Sequence, residues 1–302
     1  RAYQRAVDAA GGAADAGQPL LARPGISVKL SALHPRYAFT QPRRVREELT
    51  PRFLDLLHRA RAAGIPVTVD AEEAHRLEPS LDVLQTVFAD PGLAGWEGVG
   101  LAVQAYQKRA PAVLDWVADQ AEVHDARIPV RLVKGAYWDA EIKRAQQEGL
   151  ADYPVLTRKT HTDIAYLACV RKLADLGGAV YPQLASHNAH TVAAAREIMA
   201  GRDDYEFQRL HGMGAAMYAE VSEAWEVPCR VYAPVGGHRE LLPYLVRRLL
   251  ENGANTSFIN RIADDEASPE ALLADPVATW RAGRVEGPVL PFPRDILGDR
   301  PS

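Results

Sequence analysis

Ile128-Pro129-Val130-Arg131-Leu132-Val133-Lys134-Gly135-Ala136-Tyr137-Trp138 is the stretch on which the fold turns. Residues 128–133 are apolar apart from one arginine, a composition suited to a strand covered on both faces. The strand ends in a lysine, a glycine and two aromatics. Six further apolar runs have the same character, at residues 26–30, 66–69, 98–103, 180–185, 205–210 and 228–232. Segments with helical periodicity lie between them. Residues 45–63 place Leu49, Phe53, Leu56, Leu57 and Ala60 on one face, and similar patterns occupy 81–88, 110–122, 138–148, 159–176, 191–200, 215–224 and 239–251. Strand and helix in alternation make an α/β protein with a parallel sheet.

Polar residues at the strand ends separate a barrel from an open sheet. Lys29, Asp70, Gln104, Arg131 with Lys134, His187 with Asn188, His211 and Tyr232 end successive strands. In a (β/α)-barrel the chemistry sits at the C-terminal ends of the strands and draws on many of them. A doubly wound fold concentrates its site on a few loops and carries a glycine fingerprint after its first strand. The lone Gly98-Val99-Gly100 opens a strand instead, the wrong context for that fingerprint. The pattern predicts a (β/α)8 TIM-type barrel.

Composition sets the outer limits. The 302 residues are 47% hydrophobic and 25% charged, with a net charge of −4, normal for a globular protein with a full core. That charge gives no electrostatic reason to expect nucleic-acid binding. No apolar run is long enough to span a bilayer. Cys169 and Cys229 form no disulfide framework, which points to a reducing compartment and a cytoplasmic location.

Each candidate site residue has a plain reading beside a functional one. Lys29, among apolar residues, is an anion ligand, a Schiff-base lysine, or a strand-end lysine reaching solvent. Asp70 reads first as a helix N-cap and second as a ligand at the barrel mouth. Glu72 and Glu73 read as solvated first-turn residues of the same helix. Arg131 in a buried strand needs a partner, either a flavin or phosphate or a carboxylate inside the barrel. His187 and His190 have no third ligand nearby, so no metal site is expected. Arg247 and Arg248 read as surface arginines, with Arg247 paired to Glu251.

Taken together the motifs resemble the proline dehydrogenase domain of the proline-utilisation flavoenzymes. The resemblance runs through VKLSALHPRY (28–37), DAEEAHRLEPSLD (70–82), QAYQKRAP (104–111), RLVKGAYWDAEIKRAQ (131–146), YPVLTRK (153–159), SHNAHT (186–191), EFQRLHGMG (206–214), YAPVGGHRELLPYLVRRLLENGANTSF (232–258) and PRDI (293–296). It implies non-covalent FAD above the strand ends and L-proline stacked on the flavin. The substrate carboxylate would be clamped by Arg247, Arg248 and Lys29. Asp70, Leu132, Tyr137, Tyr232 and Tyr244 would line the pocket. Arg131 would sit beside the flavin N5 atom and count with Asp70 and Tyr137 as catalytic. Gln104, Val133, Lys134, Gly135, Ala136, Trp138, Thr157, Lys159, His187, Asn188, Glu251 and Phe258 would hold the cofactor. Electrons would pass to a membrane quinone, with peripheral contact at the inner face of the membrane.

The family's barrel opens with a strand carrying an acidic residue, and that strand is not found in this sequence. Residues 1–10 read as the helix that would follow it. Ser186 stands where threonine is common. The barrel is expected over residues 1–285, with 286–302 a tail leading towards an aldehyde dehydrogenase domain. Two rival readings remain on the same fold: an aldolase using Lys29 or Lys134, and a non-catalytic scaffold.

Overall fold

The computed structural model describes residues 1–237, 239, 241–242, 244–246, 273–284 and 289–296. Its seven strands are β1 (Ile26–Val28), β2 (Val67–Val69), β3 (Val99–Gln104), β4 (Ile128–Val133), β5 (Val180–Ala185), β6 (Glu206–Leu210) and β7 (Cys229–Tyr232). They pair in chain order into one parallel sheet. Among the described residues the main helices are α1 (Ala2–Gly12), α2 (Thr50–Ala62), α3 (Leu77–Phe88), α4 (Ala110–Val123), α5 (Trp138–Glu148), α6 (Lys159–Asp175), α7 (Ala189–Ile198), α8 (Ala215–Trp225) and α9 (Pro276–Arg281).

The sheet sorts its side chains by face, as the period of two requires. Val67, Val69, Leu101, Val103, Val130, Leu132, Leu184 and Phe207 are buried in the main hydrophobic cluster, with residues of α2, α4 and α6. The opposite face is polar: Ser27, Arg131, Gln183, Glu206, Gln208 and Arg230. The ladder sets Arg131 beside Gln183, Gln183 beside Glu206, and Gln208 beside Arg230. Arg131 on β4 reaches Ser27 on β1 and Gln208 on β6, each at 2.8 Å. Only a sheet curled around that arginine brings strands so far apart in the order within one side chain's reach.

Among the described residues the curl does not close by backbone pairing. A (β/α)8 barrel calls for eight strands, and β1 and β7 are the edges of the seven described. Between them Arg230 acts as a latch. Its Nη1 donates to the Arg23 carbonyl at 2.8 Å and its Nη2 to that of Leu21, both just before β1. Glu206 holds the same guanidinium from β6, at 2.8 Å to Nε.

Several boundaries differ from the sequence pattern for identifiable reasons. The pattern over 45–63 is not one regular helix: Val45–Leu49 forms a π-turn before α2. Pro51 has no N–H for the i−4 carbonyl of Glu47, and just before it both the backbone N–H and the hydroxyl of Thr50 donate to Val45 O, the hydroxyl at 3.0 Å. Helix α3 starts four residues before the expected 81, because Pro79 is tolerated in a first turn. Strand β1 stops at Val28 and the chain enters a 3₁₀ turn at Leu30–Ala32. There Ser31 N–H donates to Glu72 at 3.0 Å. Glu72 is therefore not a solvated helix residue, its side chain being only 6% exposed and ion-paired to Arg76. The pattern over 239–251 falls largely outside the described residues.

Candidate active site

A cavity of about 1990 Å³ occupies the C-terminal ends of the strands and continues through the polar barrel interior. Its chemistry is gathered in three clusters and one rigid loop.

The first cluster joins β1 to the loop after β4. Lys29 Nζ donates to the Tyr137 hydroxyl at 2.7 Å. Burial opposes the charge on Lys29, yet Tyr137, Asp70 and Glu72 outweigh it and raise its pKa above the ordinary lysine value. Lys29 is thus an ammonium aimed into the cavity, neither a solvated lysine nor a neutral nucleophile.

The second cluster is built on Arg131, which is 6% exposed. Its Nη1 donates to Asp70 at 2.8 Å, its Nη2 to the Ser27 hydroxyl at 2.8 Å and its Nε to Gln208 at 2.8 Å. The guanidinium lies 5.1 Å from the centre of the Tyr232 ring. The internal Arg–carboxylate pair is therefore present. Asp70, read first as a helix cap, caps nothing: the next helical turn begins at Ala74, whose N–H is taken by Glu141 at 2.5 Å. A guanidinium has five N–H donors; one on Nη1 and one on Nη2 are uncommitted among the described residues.

The third cluster holds two lysines on one acid. Lys134 Nζ donates to Asp163 and, at 3.1 Å, to the Thr191 hydroxyl. Lys159 Nζ donates to the other oxygen of Asp163 at 2.6 Å. Burial pushes the Asp163 carboxyl up, but the charges of Lys134 and Lys159 prevail and hold it below its usual value. Burial lowers Lys134, with Asp163 opposing. Two cations against one carboxylate leave this end of the cavity positive. The sequence reading missed Asp163, although it stands at i+4 from Lys159 on α6, the ion-pair spacing.

The loop from Lys134 to Trp138 is fixed from behind. Gln104 accepts from the Ala136 N–H at 3.1 Å and donates to the Glu72 carbonyl at 2.9 Å. Gly135 lies so close to the Tyr106 ring that a Cβ would come within 2.5 Å of it, so only glycine fits. Trp138 donates to the Leu156 carbonyl at 3.1 Å. On the next strands, His187 Nε2 accepts from the Leu210 N–H at 3.0 Å. Asn188 is the N-cap of α7, accepting from Thr191 N–H at 2.8 Å.

The structure thus gathers around one cavity Lys29, Asp70, Gln104, Arg131, Val133, the loop 134–138, Thr157, Lys159, His187, Asn188, Tyr232 and Tyr244. Leu132 is a correction. It is fully buried in the hydrophobic layer, because its neighbours Arg131 and Val133 face the cavity and strand side chains alternate. Leu210 lines the cavity instead. Arg247, Arg248, Glu251 and Phe258 lie outside the described residues. No group of three potential metal ligands occurs among the described residues.

The family model described as "Proline dehydrogenase" matches residues 1–261. The chain belongs to the proline dehydrogenase family. It is 53% identical to the bifunctional protein PutA of Klebsiella aerogenes, over 98% of this chain and 24% of that protein. To the PutA of Rhizobium meliloti it is 52% identical, over 99% of this chain and 25% of that one. The chain therefore spans about a quarter of the length of these relatives. Among solved structures, a mutant PutA from Bradyrhizobium japonicum superposes with a TM-score of 0.94 at 53% identity, covering 99% of this chain and 31% of that one. The PutA of Bdellovibrio bacteriovorus, inactivated by N-propargylglycine, gives 0.85 at 28% identity, covering 91% of this chain and 30% of that one.

Proposed function

We propose that this chain oxidises L-proline to 1-pyrroline-5-carboxylate on bound FAD, the first step of proline catabolism to glutamate. The observation that carries the reading is Arg131: an anchored guanidinium with two uncommitted N–H donors at the wall of a large cavity, in a chain of this family. The cavity exceeds the usual range of about 300–1,000 Å³ for small ligands, enough for a dinucleotide. Lys134 and Lys159 suit its phosphates, and Gln104 presents the rigid backbone of Gly135 and Ala136. When bound, FAD would supply the two-electron acceptor for oxidation of the proline ring.

The protein's part is orientation and charge. Arg131 would offer its two uncommitted donors to the negative charge that develops on the reduced cofactor. Lys29, kept protonated and held by Tyr137, attracts the proline carboxylate. Tyr232 and Tyr244 wall the substrate space. Val133, Trp138, Thr157, His187 and Asn188 border the cofactor's place, with Glu251 and Phe258 as further contacts. Asp70 is committed to Arg131, so it orients that arginine; it is not free to take the proline proton. The decisive experiment is an absorbance spectrum of pure protein, with the cofactor released by denaturation and weighed. Flavin bands that bleach on adding proline, and the mass of FAD, support the reading; a colourless protein that FAD cannot reconstitute overturns it.

One expectation follows from the clamp that the family resemblance implies, and one from the site. Arg247→Met and Arg248→Met should each raise the proline KM at least tenfold with FAD retained, since an unpaired buried carboxylate costs about 2–5 kcal/mol. Steady-state kinetics decides this, and unchanged KM in both variants removes the clamp. The charged state of Lys29 also argues against Schiff-base chemistry, and Lys134 is committed to Asp163 and Thr191. Borohydride added with a carbonyl substrate should leave both lysines unlabelled by peptide mass mapping.

The remaining parts of the proposal concern the longer protein. Electrons pass to a quinone at the inner face of the cell membrane, and the protein is cytoplasmic. Among the described residues no helix is long and apolar enough to cross a membrane, consistent with peripheral contact. Residues 1–285 are the FAD-binding barrel, and 286–302 a tail leading to an aldehyde dehydrogenase domain. The tail is anchored where Tyr153 donates to the Pro291 carbonyl at 3.0 Å and Arg294 N–H to that of Leu150 at 3.2 Å.

A further inference from the structure

We propose that Gln208, itself held by Glu206, is a positioning residue for Arg131. The proposal rests on the reading of Arg131 given above. Gln208 is 0% exposed. Its amide has opposite partners at its two ends. Oε1 accepts from Arg131 Nε at 2.8 Å, and Nε2 donates to Glu206 Oε1 at 2.7 Å. Arginine only donates and a carboxylate only accepts, so the amide has a single orientation. Glu206, 2% exposed, is fixed in turn by Gln183 at 3.0 Å and by the Arg230 guanidinium at 2.8 Å.

This arrangement sets a direction as well as a distance. Asp70 and Ser27 hold the two outer nitrogens of Arg131, and Gln208 holds the inner one. With all three anchored, the guanidinium plane cannot turn about its stem, and the two uncommitted N–H groups point to fixed places. The three anchors are not equivalent. The Asp70 side chain is 27% exposed, so water can substitute for it. Gln208 has no such access, and its loss leaves Arg131 Nε without a partner and takes one of several donors from Glu206, in a dry place. A methionine of similar length fills the space and makes neither bond.

The test uses the flavin-loaded chain, comparing Gln208→Met with the parent, with Gln208→Asn and with Arg131→Met. The readouts are the midpoint potential of the bound flavin without proline, the limiting rate of flavin reduction by proline, and the proline concentration for half-maximal rate. A donor displaced from N5 stabilises reduced flavin less, so the potential of Gln208→Met should move negative, in the same direction as Arg131→Met. Its limiting rate should fall about tenfold, with half-saturation within twofold of the parent. Gln208→Asn keeps both hydrogen-bonding groups and should recover part of the loss; it also serves if the methionine variant does not fold or load flavin. Parent-like potential and rate in the Gln208 variants, while Arg131→Met shifts both, would reduce Gln208 to packing and overturn the proposal alone. Parent-like behaviour of Arg131→Met would overturn the reading of Arg131 and the proposal with it.

Discussion

Arg131→Met should slow flavin reduction by proline by about 10²–10³-fold, the usual cost of removing one preorganised donor from a site of developing charge. The protein should still load FAD, because the Lys134–Asp163–Lys159 cluster at the other end of the cavity is untouched. It should also lose stability, by about 3 kcal/mol, the lower end of the range for breaking a buried ion pair. The lower end applies because Asp70 keeps some access to water. Anaerobic stopped-flow reduction measures the rate, and denaturant unfolding of the apoprotein measures the stability. A reduction rate within threefold of the parent would refute the assigned role. A large stability loss with a parent-like rate would make Arg131 the core of a structural network only.

Asp163→Asn should separate apoprotein from holoprotein. The substitution keeps the size of the side chain but removes the one carboxylate shared by Lys134 and Lys159. Two lysines then face each other without compensation, one of them already lowered by burial. The apoprotein should lose about 3 kcal/mol, a fall in Tm of about 5 °C for a chain of this size. Bound FAD would restore negative charge through its phosphates, so the deficit should shrink by at least half when flavin is added. An equal deficit in both forms would place the phosphates elsewhere. The same pair sets an acid limit. Asp163 has a depressed folded-state pKa, so its contribution is present above the unfolded value of about 3.9 and is lost as pH falls below it. Asp163→Asn should therefore remove part of the parent's stability decline at the acid end.

Much of this site was legible because its chemistry conflicts with its surroundings. Arg131 inside an apolar strand demanded a partner, and the lysine, glycine and aromatics that follow it marked the stretch as unusual. The strands themselves were legible because runs covered on both faces are continuously apolar. What escaped was the choice among partners. Asp70 could cap a helix or pair with an arginine, and local sequence is the same either way; only the curl of the sheet brings β2 within reach of β4. Leu132 was misplaced although its alternation with Arg131 already argued for the outer face. Asp163 was overlooked in a helix read only for its apolar face. Glu206 and Gln208 belong to a strand whose polar residues acquire meaning only once β6 faces β4 across the barrel. The π-turn at Val45–Leu49 was hidden because one missing N–H at Pro51 leaves the apolar periodicity intact.

The Arg230 latch has a consequence for the order in which the chain folds. Every ladder in the sheet joins strands that are neighbours in sequence, so each can form after closing only a modest loop. The bonds from Arg230 to Leu21 and Arg23 span 209 and 207 residues, the longest separations among the described side-chain hydrogen bonds. Such contacts gain nothing until the curl around the buried polar interior exists, which makes them late to form and early to break. Arg230→Leu should accordingly speed unfolding several-fold in denaturant-jump kinetics while leaving the refolding limb nearly unchanged. A refolding rate slowed in proportion to the lost stability would instead place the seam in the nucleus.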